Sequence, residues 1–352
     1  MSTRCPRCGA VYGDEARVCA NDGTRLIPVG AAPPGPPAPA RTGAALPAAA
    51  TLSGETLGDR YKVERKLGEG GMSYVYLALD TATGDRVAIK ALSPLLSRDA
   101  NAMARLRREA RLGQRLDHPN VCNILALGET PQGLVYIVMP YLEGELLSDR
   151  AVRLGVIPLA DAVPLVRDIA AGLHAAHELG IVHRDLKPEN VMLCRDDGGA
   201  ERAVVMDLGL AKQHVAGAEA ERLTATGIVL GTPEFMSPEQ LRGRPLDGRS
   251  DIYALALMTY ELLTGQLPFS GRTQQDMMVA RLRADPVPLR RMRPDLTFPE
   301  PVEQVLAKGM ARDREDRYRT AIAFADAFAE AAAGRTPHEE KDGGWLNRLL
   351  GR

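Results

Sequence analysis

The chain has 352 residues, carries 44 Lys and Arg against 45 Asp and Glu, and is 45% hydrophobic. These values are typical of a soluble globular protein of about two domains, and they exclude a collagen, wholesale disorder and a disulfide-dense miniprotein. The near-neutral charge argues against a general nucleic-acid coat, because phosphate binding requires a basic surplus. The first residues lack the apolar core of a signal peptide, and no uninterrupted apolar run could span a bilayer. We therefore expect a cytoplasmic protein without a membrane span.

Three of the five cysteines lie within the first 19 residues, which indicates a local metal site and not dispersed disulfides. Cys5 and Cys8 form a CxxC pair, and Cys19 begins a second pair in which Asp22 occupies the fourth ligand position. Aspartate oxygen is an acceptable zinc ligand. We therefore expect a small zinc-ribbon-like module over residues 1–27, with a structural Zn²⁺ bound by Cys5, Cys8, Cys19 and Asp22.

Two alternatives remain for this module. It could be a degenerate ribbon that binds no metal, although a segment of this size can hardly fold without one. It could also bind nucleic acid, because it carries Arg4, Arg7, Arg17 and Arg25. Tyr12 is its one aromatic residue, however, which is few for base stacking, so we expect no nucleic-acid partner. A protein partner of the ribbon stays open.

Composition divides the rest of the chain into three parts. Residues 28–55 are nearly all Ala, Pro and Gly, which favours an extended linker because such a segment cannot form a packed core. Residues 56–330 have the composition of a packed domain. Residues 331–352 form a short polar tail that ends in a few amphipathic positions, for which a frayed end is the expected structure.

The packed domain changes texture along its length. Short β-type runs dominate residues 61–140, and helical patterns dominate residues 143–330. One helix interrupts the β-type runs, and its apolar positions at helical spacing are Met103, Leu106, Ala110 and Leu116. This order predicts an α+β fold with a β-rich lobe, a helical lobe and a cleft between them.

A glycine-rich hairpin joins the first two long β-type runs in the segment LGEGGMSYVY, where Gly68, Gly70 and Gly71 allow a tight turn. Such a turn also lets backbone N–H groups approach a phosphate, although a hairpin that merely reverses a strand is commoner. Lys90 ends the next apolar run, from which it could reach phosphates under the hairpin, and Glu109 on the helix could pair with it. The alternative for both residues is an ordinary solvated surface position.

Two further motifs bring together the groups that phosphoryl transfer requires. The segment IVHRDLKPEN places Asp185, Lys187 and Asn190 in one short loop, and Asp207 follows the apolar run AVVM. One carboxylate can orient the attacking hydroxyl and accept its proton, while acidic and amide oxygens can hold magnesium ions. A lysine can offset the charge of the transferred phosphoryl group.

The motifs GEGGMSYV, VAIK, HRDLKPEN, DLG and GTPEFMSPE, together with Glu109 and Arg317, occur in this order along the chain. The chain thereby resembles the eukaryotic-type protein kinase superfamily, and most closely its bacterial Ser/Thr branch. The resemblance implies a bilobal protein kinase fold, with an N-lobe over residues 61–140 and a C-lobe over residues 143–330. It also implies ATP and Mg²⁺ as cofactors and proteins as substrates.

The resemblance assigns roles residue by residue. The catalytic residues it implies are Asp185, Lys187, Lys90 and Glu109. The Mg²⁺ ligands it implies are Asn190 and Asp207. The ATP-binding residues it implies lie on the glycine hairpin, the adjoining strands and the hinge, namely Leu67, Gly68, Glu69, Gly70, Gly71, Met72, Ser73, Tyr74, Val75, Ala88, Lys90, Met139, Pro140, Tyr141, Leu142 and Met192.

Specificity and regulation are implied in the same way. Lys187 and Thr232 imply transfer to Ser and Thr hydroxyls. Thr224 and Thr226 are expected autophosphorylation sites, which would pair with Arg184 when phosphorylated, unless they are merely loop residues.

The family also implies a buried structural ion pair between Glu239 and Arg317 in the C-lobe. Four positions depart from its commonest pattern: Ser73 in the hairpin, Pro140 in the hinge, Leu208 after Asp207 and Ala256 in the segment DIYALA. None of them removes a catalytic group, so an inactive kinase is not expected. The alternative function is an ATP-binding scaffold or sensor that recruits partners through its zinc ribbon.

Overall fold

The computed structural model describes residues 52–70, 73–92, 100–196, 198–208, 233–271 and 273–336, together with three short strands within the first 28 residues. The chain divides into two compact units, Met1–Ala45 and Leu46–Arg352.

The first unit contains a small antiparallel sheet of strands β1 (Thr3–Arg4), β2 (Val11–Tyr12) and β3 (Ile27–Pro28). β1 is the central strand and pairs with both others. The proposed zinc ligands lie outside the described residues, namely Cys5, Cys8, Cys19 and Asp22. Within the described ranges, no group of three or more His, Cys, Asp or Glu side chains could hold a metal ion.

The second unit begins with an antiparallel sheet that forms the N-lobe. Its strands are β4 (Thr56–Leu57), β5 (Tyr61–Gly70), β6 (Ser73–Asp80), β7 (Arg86–Leu92), β8 (Ala126–Glu129) and β9 (Val135–Pro140). They lie in the spatial order β4, β5, β6, β7, β9, β8. Tyr61 and Val63 are buried while Lys62 and Glu64 between and beside them are exposed, which is the alternation of a sheet packed on one face.

Helix α1 (Ala100–Gly113) packs against this sheet. Met103, Leu106 and Ala110, three of the positions that predicted the helix, are buried in the contact. Burial of a side chain such as Leu contributes roughly 1.5–3 kcal/mol. Leu116, the fourth position, is buried beyond the end of the helix.

The C-lobe is mostly helical. Its helices are α2 (Leu147–Leu154), α3 (Leu159–Glu178), α4 (Pro238–Leu241), α5 (Gly248–Thr264), α6 (Gln274–Arg283), α7 (Leu289–Met292), α8 (Glu300–Gly309) and α9 (Ala321–Ala332). α5 is the central helix, because every residue from Ser250 to Thr264 except Glu261 is buried. No helix in the described part of the chain has the length and apolar content that crossing a membrane requires.

A small sheet lies within the C-lobe, and the apolar run AVVM that precedes Asp207 predicted one of its strands. Its strands are β10 (Gly144–Leu146), β11 (Val191–Arg195) and β12 (Glu201–Val205), in that spatial order. Val191 is paired with Val205, so the residues that precede β11 and those that follow β12 lie next to each other. These are the two segments that carry the predicted catalytic and magnesium-binding residues.

Packing extends beyond both predicted limits of the domain. Leu52 is only 6% exposed and belongs to the N-lobe core, and the Gly54 N–H donates to the Val63 carbonyl at 2.9 Å. At the other end, Ala331 is fully buried in the C-lobe core. The predicted limits at residues 56 and 330 therefore each exclude a few residues that pack with the domain.

Candidate active site

The glycine hairpin and Lys90 are held in register by neighbouring strands. Gly68 on β5 lies opposite Val75 on β6, and Val75 lies opposite Lys90 on β7. Gly70 pairs with Ser73 where the hairpin turns. The sheet therefore places β7, the strand that carries Lys90, directly beside the hairpin, as the sequence pattern predicts.

The rim of the hairpin carries a local ion pair. Lys66 pairs with Glu69, and its ammonium also lies 4.6 Å from the centre of the Tyr74 ring. Both charged side chains are substantially exposed, so this pair contributes little stability. Two of the predicted ATP-binding residues lie outside the described residues, namely Gly71 and Met72.

An apolar, sulfur-rich cluster lies beside the hinge. Ala88 on β7 is opposite Met139 on β9, the last strand before the predicted hinge. Buried Cys122, Cys194 and Val204 form the base of the cluster, against which pack Met139, Leu142, Met192 and Met206. Apolar, polarisable side chains of this kind suit the face of a purine. Three of the residues predicted to contact adenine are thus brought together, and Met206 joins them.

The two cysteines of this cluster are not reactive. Burial raises the pKa of Cys122 to about 12, and the nearby Asp207 and Cys194 add to the effect. The Cys122 thiol lies 3.9 Å from the Pro140 carbonyl. Burial also raises the pKa of Cys194. Both groups stay protonated near neutral pH and pack as small apolar side chains.

The loop before β11 gathers three predicted catalytic groups. The Asn190 amide nitrogen donates to the Asp185 carbonyl at 2.7 Å and to Asp185 Oδ2 at 3.2 Å. Lys187 Nζ lies 4.0 Å from the same Oδ2, and the Asp185 and Lys187 side chains are each 18% exposed. The loop therefore presents a carboxylate and an ammonium group side by side at an accessible surface.

Backbone hydrogen bonds join this loop to the segment that carries Asp207. The Met206 N–H donates to the Asn190 carbonyl at 2.8 Å. In the opposite direction, His183 Nε2 donates to the Met206 carbonyl at 2.9 Å, while its Nδ1 accepts the Asp185 N–H at 3.3 Å. His183 thus contacts both segments, and Asp185 and Asp207 belong to one site.

Lys90 contacts Asp207 in this site, with Nζ 2.8 Å from Oδ1. Burial alone would raise the pKa of Asp207, but the charge and hydrogen bond of Lys90 lower it below its usual value, helped by His183 and Lys187. Asp207 is therefore ionised at neutral pH. The partner predicted for Lys90 was Glu109, and that pairing stays a prediction.

Asp251 on α5 holds the loop that carries Asp185 through buried hydrogen bonds. It accepts the His183 N–H at 2.8 Å, His177 Nε2 at 2.7 Å and the Arg184 N–H at 2.8 Å. Burial would raise the pKa of Asp251, but the hydrogen bond and electrostatic interaction with His177 and the hydrogen bond from the Arg184 N–H lower it. Arg184 and Asp207 have positive φ angles of 66° and 55°, a strain of about 1–3 kcal/mol each that such a network can sustain.

The Arg184 side chain is only partly satisfied. Burial lowers the pKa of Arg184, and the charges of Glu109 and Asp251 oppose that effect. Its Nε atom is buried and has no hydrogen-bond partner among the described residues. The residues predicted to pair with it after phosphorylation, Thr224 and Thr226, lie outside the described residues.

The segment before α4 is tied to the catalytic loop. Ser237 caps α4 reciprocally with Gln240, and Gln240 Nε2 donates to the Arg184 carbonyl at 2.7 Å. Thr232, predicted to select the substrate hydroxyl, lies outside the described residues. The described part of this segment nevertheless touches the residue that precedes Asp185.

Glu239 on α4 and Arg317 form a buried ion pair with two contacts, of 2.7 and 2.8 Å. Their side chains are 7% and 0% exposed, and the Ser250 hydroxyl donates to the same carboxylate at 2.7 Å. Burial would raise the pKa of Glu239, but Arg317 lowers it, so both groups are charged. The pair holds the segment that follows the predicted activation loop against α5.

The oxygen atoms near Asp207 suit a hard cation such as Mg²⁺. Asp207 is ionised, and the amide nitrogen of Asn190 is used by Asp185. Because its amide nitrogen donates to Asp185, the amide oxygen of Asn190 is the atom of this side chain that could bind a metal. Carboxylate and amide oxygens are the ligands that Mg²⁺ prefers. The residues present fit the cofactor that the sequence implies.

Comparison with known proteins identifies the family. The protein kinase domain family matches residues 61–328, and the chain belongs to this family. The chain is 36% identical over 271 residues to the serine/threonine-protein kinase pkn3 of Myxococcus xanthus, and the match covers 77% of this chain and 50% of the relative. It is 38% identical over 288 residues to the serine/threonine-protein kinase PknB of Mycolicibacterium smegmatis, and that match covers 81% of this chain and 45% of the relative. The chain thus spans half or less of these curated relatives.

A solved structure gives the same result for the fold. The crystal structure of the Mycobacterium tuberculosis PknI kinase domain matches with a TM-score of 0.63 and 30% sequence identity. The match covers 80% of this chain and 99% of that one. The second unit therefore has the bilobal protein kinase fold, with a curled sheet as N-lobe and helices as C-lobe.

Three residues of the site were missed by sequence reasoning. Asp251 could have been found, because it is an acidic residue that directly precedes the apolar run IYALALM of its helix. Met206 could have been found too, because it directly precedes Asp207. Nothing in the local sequence marks Gln240, whose contact with Arg184 spans 56 positions of the chain.

Proposed function

We propose that the chain is a serine/threonine protein kinase that transfers the γ-phosphoryl group of MgATP to protein Ser and Thr hydroxyls. The observation that carries this proposal is that hydrogen bonds join the loop of Asp185 to the segment of Asp207, and that Lys90 contacts Asp207. The matched relatives are named serine/threonine-protein kinases, which supports the same conclusion.

The chain's own residues take the following roles in this proposal. Asp185 orients the acceptor hydroxyl and accepts its proton. Lys187, 4.0 Å from Asp185, offsets negative charge on the group being transferred. Lys90 binds the α and β phosphates beneath the glycine hairpin, and Glu109 directs it. The apolar cluster of Met139, Leu142, Met192 and Met206 with its cysteine base receives adenine.

Asn190 and Asp207 would hold Mg²⁺, which when bound neutralises charge on the phosphate oxygens. Asp207, whose Oδ1 lies 2.8 Å from Lys90 Nζ, would be one of the residues that hold the metal, and the ammonium of Lys90 would bind phosphate. In the structure the two charges are partners for each other.

Substitution of the reacting groups tests the proposal. Lys90→Met and Asp185→Asn should each reduce ³²P transfer to myelin basic protein, and to the chain itself, at least 100-fold, with the circular dichroism spectrum of the folded chain retained. The matched controls are Lys62→Met on the exposed face of β5 and Asp196→Asn in the turn after β11, both with wild-type transfer. Unchanged transfer in Lys90→Met and Asp185→Asn would refute the assignment. Binding of MgATP by the wild type without any transfer would favour the ATP-binding scaffold.

Regulation by the activation loop is part of the proposal. Phosphorylated Thr224 or Thr226 would pair with the Arg184 guanidinium, whose Nε has no hydrogen-bond partner among the described residues. The double variant Thr224→Ala/Thr226→Ala should lose phosphate from this loop in mass spectra and lose most of its activity. Thr232 would contact Asp185 and Lys187 and select the hydroxyl substrate.

The N-terminal module is proposed to bind one structural Zn²⁺ through Cys5, Cys8, Cys19 and Asp22 and to contact a protein partner. The three-stranded antiparallel sheet of the first unit is compatible with a ribbon. Elemental analysis should give about one zinc per chain, and Cys8→Ser should abolish it. If Asp22→Ala retains zinc, Asp22 is not a zinc ligand. If the wild-type protein contains no zinc, the module is the degenerate ribbon that binds no metal.

A further inference from the structure

Helix α6 is attached to the C-lobe by an arginine. Arg281 is 2% exposed and is the one residue of the helix that counts as buried, whereas the others are partly or fully exposed. Removing a guanidinium from water costs several kcal/mol unless it gains specific partners. An apolar side chain would pack a helix here at lower cost, so the charge of Arg281 calls for a further explanation.

One partner of Arg281 lies in the segment before α4. Its Nη1 donates to the Met236 carbonyl at 3.3 Å. Burial lowers the pKa of Arg281, and the nearby Tyr253 and Glu234 oppose that effect. α6 also packs against the turn Pro233–Phe235 and against α4. Arg281 therefore connects one helix to the stretch that leads out of the predicted activation loop.

A second connection fixes the same stretch on its other side. Gln240, four positions after Met236, donates to the Arg184 carbonyl at 2.7 Å, and Ser237 caps the turn between them. The backbone at Met236 is thus held between the catalytic loop and α6. A shift at Met236 would move the segment that runs beside Asp185, without touching the hairpin or the hinge.

We propose that Arg281 is a positioning residue for the protein substrate. By holding the Met236 carbonyl, it fixes the surface beside Asp185 on which the polypeptide that carries the acceptor hydroxyl must lie. This inference rests on the proposed kinase function. Because α6 packs against the turn Pro233–Phe235 and against α4, we expect Arg281 to act on the binding of the protein substrate and not on the binding of ATP.

Steady-state kinetics of Arg281 variants test the inference. Arg281→Met keeps the aliphatic stem and removes the donors, and we expect the KM for myelin basic protein to rise at least fivefold while the KM for ATP stays within twofold. Arg281→Lys keeps the charge but loses the planar fork, and we expect a rise of at least twofold. The matched control is Arg283→Met, an exposed position on the same helix that should keep both KM values.

The design separates the possible outcomes. Hydrolysis of ATP without a protein substrate should be unchanged in both Arg281 variants, which would show an intact catalytic centre. If the wild type shows neither ATP hydrolysis nor phosphoryl transfer, the proposed kinase function is wrong instead. Unchanged KM for myelin basic protein in Arg281→Met overturns the inference, as does an equal rise in both KM values. If Arg281→Met fails to fold, an unchanged protein KM in Arg281→Lys overturns it.

Discussion

Lys90 Nζ lies 2.8 Å from Asp207 Oδ1, so a residue of the N-lobe sheet and a residue of the C-lobe are joined by an ion pair. The Lys90 side chain is 16% exposed and the Asp207 side chain 34% exposed, so the pair is sheltered but reachable. The ion pair occupies both charged groups, whereas the proposed reaction uses Lys90 to bind phosphate and Asp207 to bind the metal.

Replacement of Asp207 should remove the magnesium dependence of nucleotide binding. In the wild type, ATP with Mg²⁺ should raise the thermal midpoint more than ATP with EDTA, because Asp207 is the proposed charged ligand of the metal. In Asp207→Asn the two rises should be equal, and transfer should fall at least 100-fold. Scanning fluorimetry measures this, with Asp196→Asn as the control that keeps the difference. A full magnesium-dependent rise in Asp207→Asn would contradict the assignment.

Loss of the Glu239 charge should destabilise the C-lobe strongly. Glu239→Gln leaves the Arg317 guanidinium buried without a counter-charge, which typically costs about 3–5 kcal/mol in the free energy of unfolding. The control is Glu129→Gln, whose exposed pair with Arg107 should contribute less than about 1 kcal/mol. Urea unfolding monitored by circular dichroism measures both values. Similar losses in the two variants would show that burial does not decide the energy of the Glu239 pair.

Asp251 should matter for the catalytic rate although it touches no substrate. In Asp251→Asn the amide group must turn its NH₂ toward the His183 or Arg184 N–H, so at least one backbone hydrogen bond is lost. We expect kcat to fall tenfold or more while the KM for ATP changes little. Asp276→Asn, an exposed cap of α6, should leave kcat unaltered. A wild-type kcat in Asp251→Asn would show that the loop needs no such anchor.

Glu261 should make the stability of the chain depend on pH. Partial burial raises the pKa of this carboxyl group from 4.5 to about 7, and the charges of Glu189 and Glu234 add to the effect. Between these pH values the folded chain binds a proton that the unfolded chain has released, so the free energy of unfolding decreases as the pH rises through this window. Above it, the ionised carboxylate costs up to roughly 3 kcal/mol.

Glu261→Gln removes this titration. The variant should therefore be more stable than the wild type at pH 8, and the advantage should shrink at pH 5. Urea unfolding at the two pH values measures the difference, and Glu178→Gln at the exposed end of α3 should show no such trend. An advantage of equal size at both pH values would mean that packing, and not ionisation, distinguishes the variant.

The sequence predicted the parts of the site that are local in the chain. Asp185, Lys187 and Asn190 lie within one loop, so their proximity follows from spacing alone. The N-lobe strands were visible because their apolar residues alternate, and α1 because its apolar residues recur at helical spacing. Even the joining of Lys90 to the hairpin follows from consecutive antiparallel strands.

The parts that escaped prediction depend on distant contacts or on short elements. The contact of Lys90 with Asp207 joins residues far apart in the chain, whereas the partner predicted for Lys90 was Glu109. The strand β11 has five residues, too few to stand out within a helical region, although the apolar run AVVM did predict β12. Leu52 lies in a polar and glycine-containing context that is typical of a linker, although it is buried in the N-lobe.

The side chains beside the hinge have a chemical consequence of their own. Met139, Met192 and Met206 are all partly exposed thioethers. Peroxide converts such groups to sulfoxides, which are polar. The apolar surface proposed to contact adenine would then carry strong dipoles. Oxidative stress should thus weaken nucleotide affinity before it unfolds the chain, and methionine sulfoxide reductases should restore it.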